Sequence, residues 1–174
     1  MPAPFKRSRW KPGFVYAVPL ADRSFGIAQA IAPVETWAVD LALFSSRFAE
    51  LPRELPLLDR SDVVSIQATW RPVLNGGWWA KLGAAPLVVR PEECPNQQLL
   101  AQGGRGTGCT NSSQGLVEDF LSSYHGLIPW NLYPAFDFDK RLCQGVARPN
   151  AAKILDAASL LLYQQASQRE KYDV

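Results

Sequence analysis

The feature that most constrains this chain is a change in the period of its apolar residues part-way along. Across residues 11 to 90 they fall at alternate positions in short runs cut by Pro, Gly and Asn, whereas across residues 114 to 174 they fall at helical spacing. A strand sends successive side chains to opposite faces, and a helix returns to one face after three or four residues. The first part therefore reads as sheet and the second as helices, the order expected of an α+β fold.

Phe14, Tyr16, Val18 and Leu20 alternate, and Pro19 confines that strand to an edge or ends it. Ala21 to Ser24 reads as a hairpin connection. Phe25 to Ile31 and Thr36 to Leu43 read as two further strands with a turn around Pro33 between them. Leu51 to Pro56 reads as irregular and Asp62 to Trp70 as a fourth strand. Asn75-Gly76-Gly77 is a tight-turn signal leading into a fifth strand, Trp78 to Leu82, with Pro86 to Val89 a sixth candidate. The expected fold is α+β, an N-terminal antiparallel, SH3-like β-barrel or strongly twisted sheet followed by C-terminal helices.

Residues 91 to 113 are rich in Gly and Gln and are expected to form a flexible loop. Ser112 or Ser113 caps a helix carrying Leu116, Phe120, Leu121 and Tyr124, and Gly126 stops it. Asn150 is the expected cap of a second helix, with Ile154, Leu155, Ala158, Leu161 and Leu162 as its buried stripe. At 174 residues the whole reads as a single domain, with 11–90 β-rich and 114–174 helical. Six Trp and eight Phe furnish a core without disulfide or metal.

Few residues invite chemistry. Cys94, Cys109 and Cys143 form no CxxC pair, which leaves neither a zinc site nor a redox motif. The run Gly103-Gly104-Arg105-Gly106-Thr107-Gly108 lacks the Gly-Lys-Ser/Thr ending of a phosphate loop, and Cys109 breaks GxGxxG. His125, the only histidine, sits where an imidazolium would meet the negative end of a helix. Asp137 and Asp139, with Glu118 and Asp119 nearby in sequence, are a carboxylate pair, but Asp137 to Leu142 places acids before bases as a solvated helical turn does. No cofactor is expected, and the chain reads as no enzyme.

A net charge of +2 gives no reason to expect nucleic acid, because Arg47, Arg53, Arg60 and Arg71 are scattered among acids. No apolar run is long enough to span a membrane, and the basic start, Lys6 to Lys11, is followed by Pro12-Gly13 and not by a signal-type core. The cytoplasm is therefore the expected compartment. Trp78 and Trp79, adjacent in a strand, would face opposite ways, leaving one of them for the core and one open to a partner protein.

Several segments together resemble the immunity protein 26 family of bacterial polymorphic-toxin systems. Lys11-Pro12-Gly13-Phe14-Val15-Tyr16-Ala17-Val18-Pro19-Leu20 and Phe25-Gly26-Ile27-Ala28 are similar to its opening strands, with Phe14 where that family often has Asp. Trp78-Trp79-Ala80-Lys81-Leu82-Gly83-Ala84-Ala85-Pro86 is similar to its Trp-x-x-Ile-Gly-x-x-Pro segment. Tyr124 to Trp130, with Gly126 and Pro129, and then Asp139, Leu142 and Arg148-Pro149, resemble a C-terminal extension of some relatives. The resemblance implies an antidote that occludes a cognate protein toxin by stoichiometric binding, with local acidic patches at Glu92-Glu93 or Asp137 and Asp139, and Trp78, as candidate contacts. An SH3-like interaction or regulatory module without a toxin partner is the alternative.

Overall fold

Five strands make one antiparallel sheet in the computed structural model, which describes residues 5–104, 113–133 and 135–172. They are β1 (Phe14–Pro19), β2 (Phe25–Val34), β3 (Ala38–Phe48), β4 (Val63–Trp70) and β5 (Ala80–Ala84), in the order β4-β3-β2-β1-β5. The sheet is open, with β4 and β5 at its edges. Four helices accompany it: α1 (Arg71–Gly76), α2 (Pro95–Ala101), α3 (Gln114–Tyr124) and α4 (Ala157–Tyr172). Among the described residues no helix is long and apolar enough to cross a membrane.

Alternation places Tyr16, Val18, Leu20, Leu41 and Leu43 on one face, under α3, and Val15, Ile27, Phe44 and Ile66 on the other. Ile31 and Ala32 both pack on the second face, because the register of β2 against β3 shifts between Ala30 and Ala32. An extra residue at such a bulge bends the strand and increases its twist. Both faces are buried, the first by α3 with Trp130 and Phe138, the second by Val89 and Cys94.

Pro33 lies inside β2, paired with Val39, and the turn follows it at Glu35, whose φ is 52°. The expected turn at Pro33 is thus displaced. The pairing of β2 with β1 ends at Gln29, so Pro33 faces no ladder on that side, and its missing N–H costs nothing there. Pro19 ends β1, which is not an edge strand.

The Asn75-Gly76-Gly77 signal closes a helix and not a hairpin. Pro72 starts α1, and Gly77 ends it with φ of 78°. A Cβ at Gly77 would lie 2.3 Å from the carbonyl oxygen of Phe5, so only glycine fits. The fifth strand consequently begins at Ala80, after both tryptophans, and the argument that they alternate within a strand fails. Pro86 to Val89 forms no strand. Buried Gln29 takes up that backbone instead, its Nε2 donating to Pro86 O at 2.9 Å and its Oε1 accepting from Val88 N at 3.2 Å.

The first half of the expected flexible loop is ordered. Pro91 to Glu93 makes a 3₁₀ turn, and α2 follows because Asn96 and Gln97 donate to the buried carboxylate of Asp40, each at 2.8 Å. Gly103 and Gly104 close α2 through amide bonds to Leu100 and Leu99, while the remainder of the glycine run, from Arg105, lies outside the described residues. Cys109 lies there too.

Ser113 caps α3, its Oγ accepting from Leu116 N at 3.3 Å. Val117, Phe120 and Leu121 form its fully buried face, with Leu116 only half-buried. Gly126, at φ of 71°, closes it, with Leu127 N bonded to Ser122 O at 2.9 Å. The second helix departs from expectation. Asp156 caps it and not Asn150, accepting from Ser159 N at 2.8 Å, and Ile154, Leu161 and Leu162 are exposed. Polar pegs hold α4: Asn131 exchanges two hydrogen bonds with the Leu155 backbone, and Gln164 donates to Leu132 O.

Candidate interaction surface

Edge strand β4 is where several of the sequence-derived candidates converge. The 3₁₀ turn Phe138–Arg141 docks on it: Ser65 Oγ donates to Arg141 O at 2.5 Å, and Cys143 N donates to Val64 O at 2.9 Å. The turn Pro91–Glu93 reaches the same region, with Arg60 Nη2 donating to Glu93 Oε1 at 2.9 Å. Between them lies a cleft of about 540 Å³, lined by Arg60, Ile66, Glu93, Pro95, Arg141 and Leu142 among others. Its lining thus mixes apolar side chains with Arg60, Lys140 and Arg141 and with the acid Glu93.

The acids around this cleft have internal tasks. Glu93 accepts from Arg90 N at 3.0 Å and pairs with Arg90 and Arg60; the Arg90 backbone bond first, then its side chain, hold its carboxyl below the usual range. Glu92 is exposed beside it. Asp137 caps the neighbouring turn, accepting from Asp139 N at 3.1 Å, and pairs with Lys140 at 3.4 Å. Asp139 pairs two-pronged with Arg148, whose hydrogen bonds pull its pKa down. Each carboxylate of the pair is therefore matched to its own cation, Asp137 within the turn and Asp139 beyond it at Arg148.

Arg141 differs. It is half-buried, its Nη1 is buried without a hydrogen-bond partner, and it makes no ion pair among the described residues. Burial pulls its pKa below the usual guanidinium value. A desolvated cation without an anion is costly in an isolated chain, and an incoming carboxylate would relieve that cost. Cys143 lines the cleft as well, but burial raises its thiol pKa, which opposes the thiolate a nucleophile needs. Cys94 is fully buried and shifted the same way.

The remaining candidates lie elsewhere. Trp79 is buried and donates from Nε1 to Glu118 at 2.8 Å, so it belongs to the core. Trp78 is 37% exposed with its indole against Gly76, and it does not line the cleft. Glu118 is pushed above its ordinary value by burial, with Trp79 and Gln114 opposing. Asp119 accepts from Tyr133 Oη at 2.5 Å. His125 caps α3, but burial first, then Arg47, lower its pKa, so the imidazolium expected at the helix end is disfavoured. Among the described residues no group of three or more His, Cys, Asp or Glu side chains is placed to hold a metal ion.

The family-like motif residues are structural in placement. Gly13 precedes β1, Gly26 lies against Leu121 and Leu20, Gly83 lies against Leu55, and Trp130 packs on Phe120 with ring centroids 5.8 Å apart. Pro129 accepts from Ser123 Oγ at 3.2 Å. Sequence reasoning missed Asp40, although an acid amid Ala38-Val39-Leu41-Ala42-Leu43 signals a buried polar anchor. It also missed Arg141, for which no sequence signal exists, since its isolation depends on what the fold brings near it. Compared with models of known protein families, with curated proteins and with solved structures, the chain matches none.

Proposed function

We propose that this chain is an immunity protein, which binds a cognate bacterial toxin stoichiometrically in the cytoplasm and performs no turnover. The observation that carries the reading is the cleft on β4, where half-buried Arg141, with no ion pair among the described residues, lines the same cavity as Ile66, Leu142 and Pro95. Arginine in a partly desolvated pocket beside apolar side chains is the composition of protein-binding hot spots. Of the acids named from the sequence, Glu93 lines this cleft with Glu92 next to it in the chain, while Asp137 and Asp139 line a separate pocket with Arg148 and Ile154. Trp78 would be a separate contact. The catalytic alternative draws less support, because His125 and the two aspartates are each tied to a structural role.

The architecture accords with an SH3-like barrel left open. The meander of four strands, β1 to β4, gains bend and twist at the register shifts of β2 with β3 and β3 with β4, and β5 returns to pair with β1. A single domain of this kind presents its edges and clefts as rigid binding surfaces.

Co-expression with a candidate toxin domain tests the proposal. Wild type should restore growth and co-purify one to one, and Arg141→Glu should weaken the complex by about tenfold or more. Arg141 bonds to β4 through its backbone carbonyl, which the variant keeps, and an unchanged circular dichroism spectrum would show that replacing the half-buried side chain leaves the fold intact. Equal growth arrest with and without the chain would overturn the antidote reading for that toxin.

A further inference from the structure

A second cationic cleft lies on the N-terminal segment, which runs as a strap along α1. The strap is held through its backbone: Phe5 N donates to Gly77 O at 3.0 Å, Ser8 N to Asn75 O at 3.3 Å, and Trp10 N to Asn75 Oδ1 at 2.7 Å. Its basic side chains are thereby left to solvent, and Lys6, Arg7, Arg9 and Lys11 are all exposed. Arg71, at the start of α1, sets its guanidinium 5.5 Å from the Trp10 ring centroid and donates from Nη2 to Glu35 O at 2.9 Å. Its Nε is buried without a partner. Between these residues is a cavity of about 400 Å³ lined by Arg9, Trp10, Lys11, Pro33 and Arg71 but by no acid.

What sets this cleft apart is that it gathers three cations with no acid in its lining. Arg47, Arg60, Arg90, Lys140 and Arg148 each have a carboxylate, whereas Arg9, Lys11 and Arg71 make no ion pair among the described residues. The acid nearest in contact, Glu35, accepts from Trp37 Nε1 at 3.2 Å. Three unmatched cations around a tryptophan and a proline suit carboxylates interleaved with apolar side chains. We infer that this cleft receives an acidic segment of a protein partner, its carboxylates on Arg9, Lys11 and Arg71 and an apolar side chain against Trp10. A nucleic-acid strand is the poorer fit. It stacks successive bases on several aromatic faces along its cation track, whereas this cleft offers one ring, Trp10, with Arg71 already over one face. The inference rests on the protein-binding reading but not on the partner's being a toxin.

The test uses the full chain and three labelled probes: a short peptide of alternating Glu and Tyr, its Lys-for-Glu counterpart, and an oligothymidylate. Fluorescence anisotropy should show the acidic peptide binding at least about tenfold more tightly than either other probe, and weakening as salt is added. The double variant Arg9→Glu with Lys11→Glu, both exposed and so spared from folding roles, should weaken it by about tenfold or more. Arg53→Glu, at an exposed residue outside both clefts, should leave it unchanged. Unchanged affinity in the double variant, loss in Arg53→Glu, or equal binding of oligothymidylate would each overturn the inference. Peptide binding without protection from any toxin would instead sink the antidote reading alone.

Discussion

Asp40 sits in the middle of β3 with no exposure, and its two oxygens accept from Asn96 and Gln97 of α2. Burial raises its pKa, with those two amides opposing. Between the ordinary carboxylate value and this raised one, the folded state keeps a proton that the unfolded chain has released. Stability therefore falls as pH rises through that window. Asp40→Asn removes the titrating group, so its unfolding free energy should lose that decline relative to wild type. Asp40→Ala takes the acceptor from both amides and should cost about 2–4 kcal/mol at any pH. Denaturant unfolding at a series of pH values measures both, and parallel wild-type and Asn curves would refute the assignment. At this scale local signals were legible and pairings were not. Ser113 and Gly126 could be named as cap and stop because each acts on backbone a few residues away. Nothing in the order of residues says that Gln97 would meet Asp40, or that Arg141 would meet no acid.

Helix α4 shows what governs at the scale of elements. Its apolar residues recur at helical spacing, yet Leu161 and Leu162 point outward and polar contacts attach it. Periodicity says that a helix has an apolar face; it does not say that the fold covers it. The cap also moved, because Asp156 with Ser159 offers both carboxylate oxygens to one turn, and Asn150 lies before the bridge between Pro129 and Lys153. Asn131→Ala removes both bonds to Leu155 and should loosen α4 by about 1–3 kcal/mol while leaving the sheet intact. Hydrogen exchange measures this as faster exchange confined to α4. Unchanged exchange there would mean that other contacts hold the helix. The segments around Trp78 and Pro86 were misread for a related reason: helical turn and side-chain bonding satisfied backbone that looked ready for a ladder.

For the whole molecule, the meander β1-β2-β3-β4 was legible because each strand alternates and each connection carries turn residues. The return of β5 to β1 was not, since it joins residues far apart in the chain, at Phe14 with Ala84 and Ala17 with Ala80. Nor was burial of both sheet faces. It follows from the ordered segment around Val89 and Cys94, which the sequence divides between a sixth strand ending at Val89 and a loop beginning at residue 91. Two cores on one sheet make a sharp expectation. Phe120→Ala on the first face and Phe44→Ala on the second should each cost about 3–5 kcal/mol, and the double variant should cost their sum. Equilibrium unfolding in denaturant decides this, and a loss near zero for Phe44→Ala would mean that the second face is not a core.

The glutamine at the centre of β2 carries a further consequence. Gln29 grips residues 85 to 88 by two carbonyls and an amide, and so recognises main chain alone. Ala85 and Val88 also pack on the second core, so the freedom falls to Pro86 and Leu87 between them. Substitutions at these two can accumulate while the path of the main chain is inherited, as long as the one glutamine beneath is kept.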